Sequence, residues 1–313
     1  MKCAGPLAVA GVLFAVPAAI PDALPGPSTG GGRGATVRVP TADPCGPGHA
    51  RRSADTSEAQ DRAELTRAQV AQIEFNLDIL LARKEVTSSR APFHEIPVYV
   101  HVLHSAARGN LPDANINEQI AVLNATYGGR AGGADTGFSF SLKGVTRSDN
   151  ASWYGKPEEH ETAFKTKLHQ GGNGTLNLYT ANLGDQLLGW ATFPWKYAAN
   201  PAMDGVIVHA GSVPGGSNGD FGKGYTATHE VGHWLGLYHT FQNGCESPGD
   251  TVSDTPDERE PSNGCADSTL DTCPSDGTDP IHNYMDYSRD DCMNQFSPGQ
   301  ADRMRKVWGA YRA

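Results

Sequence analysis

The sequence predicts an α+β fold for residues 91–313, preceded by two N-terminal segments of different composition. Between residues 94 and 236, short runs rich in β-branched residues alternate with amphipathic segments, a pattern typical of strands mixed with helices. A stretch rich in Gly, Pro and Asp then separates this part from a last predicted helix. The region is long enough to bury one large core, and we find no internal repeat in it.

The first 90 residues predict a leader and a pro-segment. Residues 1–23 resemble a signal peptide, because Lys2 precedes a short apolar run that ends in small residues. This run is shorter than the roughly 18–20 residues that cross a bilayer, and Pro17 interrupts it, so we expect a secreted protein without a membrane anchor. We also expect a monomer. Residues 24–90 predict a pro-segment whose C-terminal boundary stays open.

Individual elements follow from local periodicity. Apolar residues three and four apart predict a helix within residues 57–86, which belongs either to the pro-segment or to the fold that follows. Alternation and β-branched content predict strands at 96–103, 138–142, 176–179, 189–193 and 206–209. Helical spacing predicts further helices at 116–127, 226–236 and 298–311.

The charge is acidic and unevenly distributed. The chain has 25 Lys and Arg against 35 Asp and Glu, a net charge of −10. A sequence-independent nucleic-acid binder needs a basic face, so we expect no nucleic-acid partner. Residues 246–302 carry 14 acidic and 2 basic residues, a net charge of −12. This segment is either a solvated loop or a source of oxygen ligands and of a field that attracts cations.

The most informative motif begins with two histidines four residues apart. His229 and His233 lie on one face of the predicted helix 226–236, so both rings can reach one metal ion. Glu230 follows directly and can reach a metal-bound water without binding the metal, which suits a general base. The alternative is a histidine-rich helix in an ordinary core.

A third histidine extends the motif. Gly236 can adopt the positive φ that ends the helix and turns the chain, so that His239 returns to the metal. Three neutral nitrogen ligands with one open position are typical of catalytic zinc. A structural zinc would need a fourth protein ligand and would leave Glu230 without a role. The pattern from His229 to His239, with a later methionine turn around Met285, is the metzincin pattern.

Several motifs together resemble the pappalysin family of metzincins, in particular its secreted ulilysin-like branch. The residues that carry the resemblance are the stretch Ala227–Phe241, the run Asp254-Thr255-Pro256, the turn Asn283-Tyr284-Met285-Asp286-Tyr287, the run Cys292-Met293-Asn294-Gln295-Phe296 and the run Gln300-Ala301-Asp302-Arg303-Met304. The stretch Leu188–Pro194 also resembles the family. The resemblance implies a zinc endopeptidase made as a zymogen. Its upper subdomain holds a twisted mixed sheet and the zinc helix, and its lower subdomain is irregular and stapled by disulfides.

The resemblance also implies roles for single residues. Met285 would form a hydrophobic floor under the zinc, and Tyr287 would bind the metal or donate a hydrogen bond to the oxyanion. The strand 188–193 would be an edge strand that pairs with protein or peptide substrates, the alternative being an interior strand. Asp291, with Asp290 as its rival, would select Arg or Lys just after the scissile bond.

Six cysteines are present, and four of them follow the zinc motif. Four cysteines allow three pairings, and the resemblance implies Cys245–Cys273 and Cys265–Cys292. A second zinc on these four cysteines is an alternative, although CxxC spacing is absent. Cys45 could occupy the open zinc position and keep the zymogen inactive. The family signature Arg-x-Cys-Gly-Thr is kept at Cys45-Gly46, but Asp43 and Pro47 replace its Arg and Thr.

A structural calcium site is expected in the acidic segment. Asp254 and Thr255, with Asp250 and Asp257 nearby, offer hard oxygen ligands in a region where relatives bind calcium. A competing class for the whole chain is a catalytically silent binding protein. It is disfavoured, since Glu230, the three histidines, Met285 and Tyr287 occur together.

Overall fold

The computed structural model describes residues 49–52, 65–84, 93–184, 187–274 and 277–313. These residues include six strands and six α-helices. The strands are β1 (His49–Arg52), β2 (His94–His104), β3 (Phe138–Asp149), β4 (Leu176–Ala181), β5 (Leu187–Ala191) and β6 (Val206–His209). The helices are α1 (Arg67–Lys84), α2 (Asp113–Tyr127), α3 (Ala151–Gly155), α4 (Pro157–Leu168), α5 (Tyr225–Trp234) and α6 (Pro298–Tyr311). The predicted signal peptide and Cys45 lie outside the described residues.

The strands form one mixed sheet in the order β1-β5-β6-β4-β2-β3. Strands β3, β2, β4 and β6 run parallel to one another, whereas β5 is antiparallel to β6. Strand β1 pairs antiparallel with the other side of β5. Among the strands that follow residue 93, β5 is therefore one of two edge strands, the other being β3, and β1 from the predicted pro-segment covers the edge of β5.

Alternation along the strands gives the sheet two apolar faces. On one face, Val100 of β2 belongs to a core cluster that includes residues of α2 and α5. On the other face, Tyr179 and Ile207 pack with Phe164 of α4. Helix α5 is held so closely against the first face that every residue from Thr226 to Trp234 is buried.

The lower half of the molecule is irregular between α5 and α6. The two disulfides Cys245–Cys273 and Cys265–Cys292 staple it, in the pairing that the resemblance implies. A disulfide that closes a loop of this size stabilises the folded state by roughly 3 kcal/mol in the chain-entropy model. Helix α6 then begins with a capping box formed by Ser297 and Gln300.

A buried ion pair ties α6 to the end of α5. Asp204 and Arg312 are both fully buried, with two N–O distances of 3.0 Å between them. The Arg312 Nε also donates to the carbonyl of Trp234 (3.0 Å), and the Trp234 indole donates to Asp204 (2.9 Å). Each buried charge thus has several partners, which is the condition for keeping ions in a core.

The structure differs from the sequence prediction mainly around α3 and α4. Neither helix is predicted, because α3 buries none of its residues and α4 buries only Pro157, Phe164 and Lys165, so no long apolar stripe marks them. The predicted strand 138–142 continues to Asp149, and the predicted helix within 57–86 is α1. None of the helices in the described ranges is long and apolar enough to cross a membrane.

Candidate metal centre and active site

Helix α5 carries the first two predicted metal ligands. It begins after Gly224, whose φ of +87° lies in the left-handed region; a Cβ there would lie 2.8 Å from the Gln119 side chain. Because His229 and His233 are one helical turn apart, their rings lie on one side of α5, and both are fully buried.

A bend at Gly236 brings in the third ligand. Gly236 has a φ of +98°, and a Cβ built on it would lie 2.5 Å from Val307 Cγ1 of α6. Arg303, also on α6, donates from its Nε to the Gly236 carbonyl (2.9 Å). Only glycine fits this close, left-handed turn, and the turn returns the chain so that His239 faces the other two rings.

The three imidazoles converge on one point. The Nε2 of His233 lies 3.1 Å from that of His229 and 3.0 Å from that of His239. The Nδ1 of His229 contacts the Tyr284 carbonyl (2.6 Å), and the Nδ1 of His233 contacts the Leu237 carbonyl (2.8 Å). A carbonyl only accepts, so these Nδ1 atoms carry the protons and the Nε2 atoms present lone pairs.

Burial keeps these ligands in the form that binds metal. It lowers the pKa of His233 to about 4 and that of His239 well below its ordinary value, so both rings are neutral near pH 7. Neutral lone pairs that face one another at this distance need a cation between them, and three nitrogens suit zinc. Among the described residues, the only other group with metal-ligand spacing contains Cys265 and Cys292, which form a disulfide.

Glu230, Met285 and Tyr287 are the remaining predicted active-site residues. Glu230 is fully buried, and its Cγ and Oε1 lie against Gly189 of β5. The Met285 sulfur packs against Gly232 of α5, where any side chain would overlap it. The Tyr287 ring centroid lies 5.8 Å from that of His229 and 4.9 Å from that of His239. Tyr287 therefore lies beside two of the histidines, Met285 contacts the helix that carries them, and Glu230 contacts β5; the roles predicted for these residues stay predictions.

Comparison with known proteins identifies the family. The sequence model of the family described as Pregnancy-associated plasma protein-A matches residues 177–308. An extracellular metalloprotease of Arthroderma benhamiae is 46% identical over 225 residues, which cover 70% of this chain and 79% of the relative. The chain belongs to the pappalysin family of zinc metalloendopeptidases.

Further relatives and solved structures agree with this pappalysin assignment. Extracellular metalloprotease 1 of Coccidioides posadasii is 45% identical over 225 residues, covering 70% of this chain and 78% of its own. A promirolysin mutant of Tannerella forsythia has a TM-score of 0.67 and 29% identity, covering 79% of this chain and 91% of its own. Mature mirolysin in complex with a cleaved peptide has a TM-score of 0.62 and 32% identity, covering 70% and 92%. The predicted metzincin fold is confirmed.

The two acidic candidates for substrate selection in this pappalysin lie in different environments. The Asp291 side chain is 55% exposed and lies near Arg289, 3.8 Å away. The Asp290 side chain is buried, and its Oδ2 accepts a hydrogen bond from the Lys223 backbone N–H (2.9 Å). Asp291 is therefore at the surface, and its rival Asp290 is the buried carboxylate.

The predicted calcium ligands also have protein partners. Asp254 accepts hydrogen bonds from the Ser297 hydroxyl (2.6 Å) and the Gly299 N–H (2.8 Å), and so caps the start of α6. The Thr255 hydroxyl donates to Asp250, 2.8 Å away. Burial raises the pKa of Asp250 to about 7, because the charged carboxylate is poorly solvated. In the described residues, these oxygens do not form a metal-ligand cluster of three acidic groups.

The sequence predicts no role for two buried carboxylates, Glu258 and Asp286, although Asp286 belongs to the methionine turn. Glu258 accepts from the hydroxyls of Thr240 (2.7 Å) and Ser262 (2.8 Å). Asp286 accepts from the backbone N–H groups of Tyr287 (2.7 Å) and Ser262 (3.0 Å). Burial raises the pKa of both groups, and repulsion from Asp286 adds to the rise for Glu258. Together they connect the chain after His239 to the methionine turn.

Replacing Gly236 should weaken metal binding by this pappalysin. In Gly236→Ala, the new methyl group meets Val307 and the left-handed φ becomes strained, so His239 moves away from the other two ligands. We expect an affinity for zinc at least about 10-fold lower and a free energy of unfolding lower by about 1–3 kcal/mol. Chelator competition and denaturant unfolding of the full chain measure these effects.

Gly155→Ala is the matched control, because a Cβ at Gly155 would meet no atom within 4 Å. Equal zinc affinities for the two variants would contradict the role of the Gly236 bend.

Proposed function

We propose that this pappalysin is a secreted endopeptidase that hydrolyses peptide bonds with Glu230 as the general base. The observation that best supports it is the convergence of three imidazole lone pairs on one point, with the fully buried Glu230 directly after His229 in α5. A zinc ion held by His229, His233 and His239 would polarise the scissile carbonyl and increase the acidity of the attacking water.

The chain's own residues supply the proton transfers. Glu230 would accept a proton from the attacking water and later give it to the leaving nitrogen, as a general base that becomes a general acid. Tyr287, whose ring lies beside His229 and His239, would donate a hydrogen bond to the negative oxygen that develops on the former carbonyl. Both roles require groups that are already positioned before the substrate arrives.

Substitution of Glu230 should remove the activity without removing the metal site. We expect Glu230→Gln to lower kcat by about 10²–10⁴-fold and Tyr287→Phe by about 10²-fold, with zinc still bound at one per chain. Digestion of a mixed peptide library by zinc-loaded processed protein, with metal analysis of each variant, checks both. If Glu230→Gln cleaved as fast as the wild type, the mechanism would be wrong. Absence of cleavage by the zinc-loaded, processed wild type would instead favour a catalytically silent binding protein.

An extended substrate would bind along β5. Residues 187–191 offer a sheet edge, and β1 pairs antiparallel with that edge in the described structure. A substrate strand can make the same backbone hydrogen bonds, which give affinity without requiring a particular sequence. Sequence preference must then come from pockets beside the edge.

We infer a preference for Arg or Lys just after the scissile bond, with Asp290 rather than Asp291 as the selecting carboxylate. A buried carboxylate pairs strongly with a cationic side chain, whereas the exposed Asp291 is screened by water.

The substitution pair Asp290→Asn and Asp291→Asn tests this preference. Asp290→Asn should lower kcat/KM for peptides with Arg or Lys after the cut by about 10–100-fold, relative to peptides with an apolar residue there. Asp291→Asn should leave the ratio nearly unchanged. Loss of the preference in Asp291→Asn alone would return the role to Asp291, and cleavage by the wild type without any such preference would end the proposal.

We also propose that the chain is exported and latent until its pro-segment is removed. The support is threefold: the relatives are named extracellular metalloproteases, promirolysin matches more of this chain than mature mirolysin does, and β1 covers the β5 edge. Helix α1 adds a second attachment. Its Glu74 pairs with Arg303 through two hydrogen bonds (2.7 and 2.9 Å) and accepts a third from Tyr238 (2.8 Å).

Cys45 lies four residues before β1 in the chain and would complete this latency by binding the metal. We expect the unprocessed Cys45→Ala chain to cleave a test peptide while the unprocessed wild type does not, and the processed forms to be equally active. N-terminal sequencing should find a secreted zymogen that lacks residues 1–23 and an active form that lacks β1. Unchanged latency in Cys45→Ala would exclude the cysteine switch.

A structural calcium ion near Asp250, Asp254 and Thr255 remains part of the proposal. Its support is the buried Asp250 carboxylate, whose charge a bound cation would stabilise. Adding millimolar calcium to the zinc-loaded, calcium-free chain should raise the midpoint of thermal unfolding by about 5 °C or more, and Asp250→Asn should abolish most of that rise. Exposed Asp271→Asn serves as the control. An equal rise in Asp250→Asn, or none in the wild type, would contradict the site.

A further inference from the structure

Gly189 is the point at which strand β5 touches the general base. A Cβ built on Gly189 would lie 2.8 Å from Cγ and 2.9 Å from Oε1 of Glu230, closer than real Cβ atoms approach such neighbours. We propose that Gly189 is a positioning residue, whose missing side chain lets the Glu230 carboxylate lie directly beside the substrate-binding edge. The inference rests on the role proposed above for Glu230.

The requirement for glycine is confined to this position of the strand. Trp190 packs on the opposite face of the sheet with Tyr179, so residues 189 and 191 face α5. Ala191 belongs to the core cluster that contains Val231 of α5, so a methyl group fits at position 191. The general spacing of β5 and α5 therefore admits alanine, and on the α5 side the Glu230 side chain is what crowds a Cβ at position 189.

Glu230 cannot easily give way to a larger residue. It is fully buried, and its neighbours in sequence are fixed, because the His229 ring contacts the Tyr284 carbonyl and Val231 is buried in the core. The helix backbone is therefore held, and only rotation of the side chain could relieve the overlap. Such a rotation would move the carboxylate away from β5.

The pairing register of β1 and β5 shows why the distance between the Glu230 carboxylate and β5 matters. Arg51 of β1 is the residue opposite Gly189, so a chain that occupies the edge passes directly beside this glycine. The Glu230 carboxylate contacts Gly189 from the α5 face of the sheet, so a substrate paired with β5 at this position would pass close to the general base. Misplacing a catalytic group by about 1 Å can cost about 10²-fold in rate.

A Cβ at position 189 would also contact a backbone atom, in addition to Glu230. The same Cβ would lie 2.8 Å from the Ile207 carbonyl of β6, so Gly189→Ala also strains the sheet. The strain against Ile207 does not depend on residue 230, whereas the overlap with Glu230 disappears when that side chain is shortened to alanine. A double-mutant cycle distinguishes the two.

The first test measures thermal unfolding of the full chain and needs no catalysis. Gly189→Ala should lower the midpoint by about 2–4 °C or more in the wild type and by less than half as much in the Glu230→Ala background. Gly172→Ala, where a Cβ would meet open space, is the control and should change little. Equal losses in both backgrounds would assign the whole effect to Ile207 and overturn the proposal.

The second test measures kinetics of the processed enzyme. Gly189→Ala should lower kcat by about 10–100-fold with KM within about two-fold of the wild type and one zinc bound per chain. A raised KM with unchanged kcat would mean that Gly189 serves edge pairing instead, and would overturn the proposal. If Glu230→Ala itself remained active, the proposed function would fail, while the unfolding cycle would still report whether residues 189 and 230 are coupled.

Discussion

Three imidazole rings can share one cation only if their Nε2 lone pairs meet, and backbone carbonyls enforce that orientation here. The Tyr284 and Leu237 carbonyls hold the Nδ1 atoms of His229 and His233, so neither ring can turn without losing a buried hydrogen bond. One carbonyl comes from the methionine turn and the other from the chain just after Gly236. The irregular lower half is therefore required for the metal centre, and the arrangement of α5 alone does not suffice.

Helix α6 extends this dependence to the end of the described chain. Val307 packs against Gly236, and Arg303 donates a hydrogen bond to its carbonyl. Arg312 contacts the end of α5 directly and pairs with Asp204. Arg303 is also the residue that pairs with Glu74 of α1. The same arginine thus contacts both the ligand-bearing bend and the predicted pro-segment. Attachment of α1 and the shape of the bend are physically linked through one buried guanidinium group.

The metal ligands could be predicted because their spacing follows directly from helix geometry, and Gly236 marks the bend. For Asp290 and Asp291, the sequence could not predict which side chain is buried. They are adjacent in a segment without periodicity, where neither helix nor strand spacing tells which side chain is buried. Helices α3 and α4 escaped prediction because they bury few side chains, and β1 because four residues in a Gly- and Pro-rich region carry too little pattern. Gly189 had no signal either, since its role depends on a residue that is distant in sequence.

Several carboxylates of the acidic segment accept hydrogen bonds from the backbone of the same segment. A chain without helices or strands must still provide partners for its buried N–H groups. Carboxylates do this repeatedly here, with Asp250 accepting from Val252, Asp279 from Thr272, and Asp286 from both Ser262 and Tyr287. These three carboxylates are buried, and their hydrogen bonds fix the conformation of the loops around them.

The covered edge of β5 also matters for how separate molecules behave towards one another. An open edge strand presents unpaired N–H and C=O groups that can recruit a strand from any nearby chain, including a second copy of the same protein. Pairing with β1 keeps the five residues of β5 from acting as such a template. The strand that pairs with β5 thus also opposes intermolecular β-sheet growth while newly made chains are concentrated together.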